Sequence, residues 1–275
     1  MFTRTKNDSS TGTKKGRRSP LATATLILVG LLTTGGAYAL FTSSATADTA
    51  QSSAVALHSQ SQVNEGQKLF ASNCATCHGL KAEGTNSGPS LIGVGAASVD
   101  FQVGTGRMPM AADGPQAEQK PTQFSQTQID ELAAYVASLA PGPAIPSSKY
   151  TDGGGNAATG AELFRVNCAM CHNVAGAGGA LTEGKYAPNL QSVSGRHIYE
   201  AMVTGPQNMP VFNDLNITPQ QKADIITYLK YIQTHQSPGG FSLGNIGPVA
   251  EGLFIWIFGL GAVVAMTVWL TAKSN

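Results

Sequence analysis

Charge is scarce in this 275-residue chain, with Asp, Glu, Lys and Arg at 12% of the residues, against about a quarter in ordinary soluble proteins. So low a level suits a partly membrane-embedded protein with small, loop-rich domains. Basic residues are missing from where a nucleic-acid binder would need them, as a patch within a folded domain. Residues 48–140 carry four basic and eight acidic residues, a formal −4, and 141–250 carry six of each; nucleic acid is therefore excluded as a partner. No motif pairs a nucleophile with a base, so no bond-making active site is expected. Cysteine is sparse too, with four in all, and none is left over for a disulfide framework or a free thiol.

What is present is one pentapeptide, twice. Cys74-Ala75-Thr76-Cys77-His78 and Cys168-Ala169-Met170-Cys171-His172 absorb every cysteine. Cys-x-x-Cys-His is the attachment pattern of a c-type haem, in which two thiols add to the vinyl groups and the histidine becomes the proximal iron ligand. The surroundings repeat as well: Gly66 and Gly160 stand eight residues before the first cysteine, Phe70 and Phe164 four before it. A repeat of about 94 residues, from Cys74 to Cys168, means two tandem domains and not a solenoid. A zinc site would bring two Cys-x-x-Cys pairs much closer in sequence, and a thioredoxin-like site would need strands that neither motif has around it.

An iron that passes electrons without binding substrate needs a second axial ligand, and methionine is the usual one in cytochromes c. Met108 and Met209 share a following proline and lie 30 and 37 residues beyond the two histidines. They are the expected distal ligands, with Met110 as the competitor at the first site. The carbonyls of Pro89 and Pro188, in matching segments, are candidates to hold the second ring nitrogen of His78 and His172. His197, with Arg196, is a candidate contact of a haem edge or propionate.

Residues 1–18, with six Lys/Arg among Ser, Thr and Gly, are expected to be disordered and cytoplasmic. Residues 19–43 follow as an uncharged stretch, either a retained transmembrane helix or a cleaved signal peptide. Residues 44–63 read as a linker and 64–140 as the first domain, closed by an amphipathic helix in which Ile129, Leu132, Val136 and Leu139 share one face. Pro141-Gly142-Pro143 and Gly153-Gly154-Gly155 punctuate a linker over 141–156. The second domain spans 157–236, its closing helix started by Thr218 as N-cap and Pro219. After a linker at 237–250, residues 251–272 are expected to form a transmembrane helix, uncharged from Gly252 to Thr271 and with Trp256 and Trp269 near its ends.

Gly-x-x-x-Phe ahead of Cys-x-x-Cys-His, a Met-Pro loop and a closing helix with Tyr resemble the class I cytochrome c fold, twice. The expected class is all-α, with two tandem domains and flanking transmembrane helices. The full arrangement resembles the dihaem cytochrome c subunit of the actinobacterial quinol:cytochrome c reductase, the cytochrome bc complex. That resemblance implies two covalent haem c groups, one on Cys74 and Cys77 with His78 and Met108 as axial ligands, the other on Cys168 and Cys171 with His172 and Met209. It implies an electron-transfer subunit of a quinol-oxidising translocase in the cytoplasmic membrane, multi-pass, in contact with membrane lipid, with its haem domains outside the cytoplasm. Its implied partners are a cytochrome b subunit, a Rieske iron-sulfur subunit and the copper-centre subunit of a terminal oxidase, with electrons running from the Rieske centre through both haems to the oxidase. A dihaem cytochrome serving another oxidase or dehydrogenase, or a dihaem peroxidase-like enzyme, shares the motifs and stays open at this point.

Overall fold

The structure is a computed structural model that describes residues 21, 24–34, 36, 59–235, 243 and 248–273. The expectations for 1–18, for most of the linker at 44–63 and for most of that at 237–250 lie outside the described residues. The chain divides into two units, Met1–Ala54 and Val55–Asn275. In the first, helix α1 (Ala24–Thr34) is apolar and exposed along its described length.

In the second unit, the first domain opens with α2 (Gln60–Asn73). It begins ahead of the boundary expected at 64 because Ser59 forms a capping box: its hydroxyl accepts from the Gln62 amide at 3.3 Å, and the Gln62 side chain accepts from the Ser59 amide at 3.0 Å. Cys74 ends α2 and starts the one-turn helix α3 (Ala75–His78). Next come α4 (Gly95–Gly104) and the closing helix α5 (Gln126–Leu139), capped in the same way by Ser125 and Gln128. Helix α5 crosses α2 at Gly66, where an added Cβ would stand 1.9 Å from the Glu131 carbonyl oxygen. Beside the crossing, Phe70 and Tyr135 meet with ring centroids 5.2 Å apart.

The second domain repeats this frame. Helix α7 (Ala157–Asn167) leads through Cys168 into the one-turn helix α8 (Ala169–His172), then α9 (Gly195–Thr204) and the closing helix α10 (Pro219–Thr234). At Gly160 an added Cβ would stand 1.9 Å from the Asp224 carbonyl oxygen, and Phe164 meets Tyr228 at 5.5 Å. The repeated glycine and aromatic are thus one device: the glycine lets the backbones of two helices touch, and the aromatic pair fills the space next to the contact. A short hairpin of β1 (Gly179–Ala180) and β2 (Tyr186–Ala187), antiparallel with Gly179 opposite Ala187, is the strand content of this domain among the described residues.

The linker expected at 141–156 is instead built into both domains. Pro143 accepts from the Ala97 amide at 3.0 Å, and Gly95, at φ +78°, leaves room for that segment where a Cβ would come within 2.4 Å of Pro143. Residues Ser148–Thr151 form a helical turn, α6. Thr151 is buried, and its carbonyl accepts from Lys230 Nζ at 2.8 Å. Pro and Gly break regular structure here, yet a broken segment still packs when its backbone finds partners.

At the carboxy terminus, α11 (Pro248–Phe254), a π-helical turn (Ile255–Leu260) and α12 (Gly261–Lys273) run on from one another. The span Ala250–Lys273 has 24 residues, and an 18-residue stretch within it has a mean hydropathy of 2.3. At 1.5 Å per residue its length is about 36 Å, enough for a hydrocarbon core of roughly 30 Å.

Candidate cofactor site

The two pentapeptides have one geometry. Each first cysteine sits at the break between a long helix and a single turn, so that His78 N donates to Cys74 O at 3.0 Å and His172 N to Cys168 O at 2.9 Å. One turn of helix thereby projects the second cysteine and the histidine beside the first cysteine. Cys74 and Cys168 are half-buried, while Cys77 and Cys171 are exposed. Burial, and then the neighbouring thiol, push Cys74 and Cys168 up to about 11.

Both histidines are buried and pinned. His78 Nδ1 lies 2.7 Å from the Pro89 carbonyl and His172 Nδ1 lies 3.0 Å from that of Pro188, the two acceptors the sequence singles out. A carbonyl can only accept, so Nδ1 carries the proton and Nε2 keeps its lone pair for a metal. Burial lowers the pKa of His172, against the Pro188 contact, which raises it. Gly88 is needed at this spot in the first domain, since a Cβ there would come within 2.8 Å of the Cys77 carbonyl and 3.1 Å of the His78 ring.

In the second domain Cys168, Cys171, His172 and Met209 line one cavity of about 530 Å³. The strand-bounded loop and the Met209 loop form its rim, and Phe164, Met202 and Leu229 lie among its apolar walls. Six lining residues come from the first domain: Phe101, Gly104, Thr105, Arg107, Gln116 and Gln119. Two glutamines tie these parts together. Gln116 accepts from Tyr186 N at 2.8 Å and donates to its carbonyl at 3.0 Å, and Gln207 does the same with Ala117 at 3.2 and 3.1 Å. In the first domain Cys74, Leu91 and Met108 pack against the core formed by Phe70, Leu132 and Val136. Met110 is exposed. The Met108 amide donates to Gln102 O at 2.9 Å, and Lys120 Nζ bridges the Gly106 and Pro109 carbonyls on either side of it.

Comparison with known proteins agrees with this geometry. The profile described as cytochrome c matches residues 63–140, and that described as cytochrome C oxidase, cbb3-type, subunit III matches 155–229. The cytochrome bc1 complex cytochrome c subunit of Mycobacterium tuberculosis (strain ATCC 25618 / H37Rv) is 40% identical over 282 residues, covering 99% of this chain and 98% of that protein. Its namesake in Corynebacterium diphtheriae is 41% identical over 273 residues, covering 94% and 95%. The chain belongs to this family. The cbb3-type cytochrome c oxidase subunit FixP of Azorhizobium caulinodans, by contrast, is 33% identical over 125 residues, or 42% of this chain. The protein is thus a cytochrome c electron-transfer subunit of a bc complex, a membrane-associated oxidoreductase, and its cytochrome c domains imply covalent haem c.

The residues present fit that group. The cavity brings two thiols, an imidazole with a free Nε2 and a thioether to one apolar space, the donor set of haem c. Arg196 is turned away from it. Its Nε and Nη2 donate to Asp100 Oδ2 and Oδ1 at 2.7 and 2.6 Å, and Nε approaches Glu200 at 3.4 Å. His197 does line the cavity; burial and the Arg196 and Arg107 charges hold its pKa low against Asp100, which raises it.

Glu200 is fully buried with its Oε2 unpartnered as a carboxylate. Burial, followed by the hydrogen bond and charge of Asp100, push its pKa up to about 10 against Arg196, which lowers it. As the neutral acid, Glu200 has a proton to donate toward Asp100. Sequence reasoning passed over Asp100, Glu200 and Arg107. Their signal was available only as charged residues inside otherwise apolar stretches.

Proposed function

We propose that the chain is a membrane-anchored dihaem subunit that relays electrons from a Rieske iron-sulfur centre to a terminal oxidase, with a cytochrome b subunit as its further partner in the complex. The observation that carries the two-site reading is the repeated histidine clamp, with Nδ1 at 2.7 and 3.0 Å from the two proline carbonyls. When bound, haem c supplies a one-electron iron couple at each site.

The chain's own residues do the rest. Cys74 and Cys77 fix the first group and Cys168 and Cys171 the second. Pro89 and Pro188 hold His78 and His172 with Nε2 toward the iron position and strengthen them as donors. Met108 and Met209 complete the axial pairs; the packing of the half-buried Met108 against the core and the exposure of Met110 support Met108. The apolar walls keep water off the metal, which favours the reduced state. The carboxy-terminal helix anchors the chain and the segment at 19–43 is a second anchor, with the haem domains outside the cytoplasm; the basic residues of 1–18 support that orientation.

Haem content per chain tests the reading. Two haem c are expected for the native chain and one after replacing Cys168 and Cys171 by alanine. A native value of one would remove the second site.

A further inference from the structure

Arg107 stands out among the cations of the two domains. It is buried and lines the second-domain cavity although the first domain carries it, and it has no carboxylate within ion-pair distance among the described residues. Two other cations held against the interior are matched by carboxylates: Arg196 is forked onto Asp100, and Lys222 Nζ reaches Asp214 at 2.7 Å. What Arg107 does have is the Phe101 ring, 4.9 Å from its guanidinium carbon. Its backbone is also fixed, because Gly106, at φ +69°, sits against the Lys120 carbonyl, where a Cβ would be 1.8 Å from the oxygen. A guanidinium taken out of water without an anion costs several kcal/mol, so the position calls for a negative partner from within the cavity. Tyr186 and Gln116, joined to each other by two hydrogen bonds, line the same space and give it a polar part.

We propose that Arg107 of the first domain is the counter-ion of the propionate carboxylates of the haem held by the second domain, an assignment that rests on haem c occupying that cavity. The planar fork of arginine matches a carboxylate with two parallel hydrogen bonds. Because Arg107 immediately precedes Met108, a single loop then serves both sites. It offers a thioether to the first iron and a positive charge to the second haem. A fixed positive charge favours the reduced form, so Arg107 raises the potential of the second haem.

The test is potentiometric titration of the full chain in its detergent-solubilised complex, with haem content measured on the same samples. With Arg107→Gln, one of the two c haems should need a lower potential for half-reduction, by roughly tenfold in the reduced-to-oxidised ratio, about 59 mV for a one-electron couple. Arg107→Lys, which keeps the charge, should retain most of the native value. It should still move the propionate bending band in the resonance Raman spectrum, because the fork is lost. In a Cys168→Ala, Cys171→Ala background the remaining haem should titrate alike with and without Arg107→Gln. Two haems per chain with unchanged potentials, or a shift confined to the haem that survives in that background, would overturn the Arg107 assignment alone. A native chain with one haem would overturn it together with the reading beneath it.

Discussion

At the scale of single residues, the axial set and the buried acid carry opposite lessons. The proposed axial set was named from the sequence: the attachment motif puts His78 and His172 next to the second cysteine, and Met108 and Met209 share a following proline. Loss of Met108 should open one ferrous haem to carbon monoxide, whereas Met110→Ala should leave both closed. Carbon monoxide difference spectra of the reduced protein distinguish the two. Glu200 was not legible, since nothing local distinguishes a surface glutamate from one that folding buries. Its ordinary value of 4.5 becomes about 10 in the folded chain, so between those limits the native state holds a proton that the unfolded chain releases. Stability should therefore fall as pH rises from about 5 to 10, the contribution being complete at the acid end and gone above pH 10. Glu200→Gln should flatten this part of the profile relative to wild type, as read by denaturant midpoints across the pH range.

Among the elements, the closing helix of each domain could be read from the sequence, α5 by its apolar face and α10 by the Thr218 cap. Helices α4 and α9 could not. Gly-Ala-Ala-Ser-Val-Asp-Phe-Gln-Val-Gly is buried over most of its surface and so shows no polar face, while α9 spends its charged residues Arg196 and Glu200 on a contact with α4 that only tertiary structure creates. The helix crossings make a sharper prediction. Gly66→Ala or Gly160→Ala should gain about 1 kcal/mol of helix propensity. Against this stands a Cβ placed 1.9 Å from a backbone carbonyl oxygen, which cannot swing aside. Overpacking of this kind costs about 1–3 kcal/mol, so net destabilisation is expected in chemical denaturation of either variant.

For the molecule as a whole, the two cytochrome c domains are joined by a contact that tandem repetition does not reveal. Asp100 on α4, buried to 1% exposure, receives the Arg196 fork from α9, with Asp130 3.8 Å from the same guanidinium and Phe101 edge-on to His197 at 6.2 Å. Removing Arg196 leaves the Asp100 charge buried without its cation, which costs about 3–5 kcal/mol. An exposed pair such as Lys68 with Glu65 contributes roughly 0–1 kcal/mol. Arg196→Leu should thus turn one unfolding transition of the haem domains into two, while Lys68→Ala leaves the profile in place. Calorimetry of the solubilised protein reads both. The repeat predicts two like domains, but in a repeat unit taken alone nothing says that the second cavity is finished by the first domain. That follows from Arg107, Gln116 and Gln119 arriving at its rim.

The chain is proposed to hold two haem c groups and to work inside a quinol-oxidising complex. Purifying that complex through a tag on this chain, and measuring haem c per chain beside the b-type haem that accompanies it, tests the claim most directly. Two haem c per chain are expected, together with b-type haem and the large membrane subunits. One haem c per chain, or a c-type spectrum with no b-type haem, would contradict it.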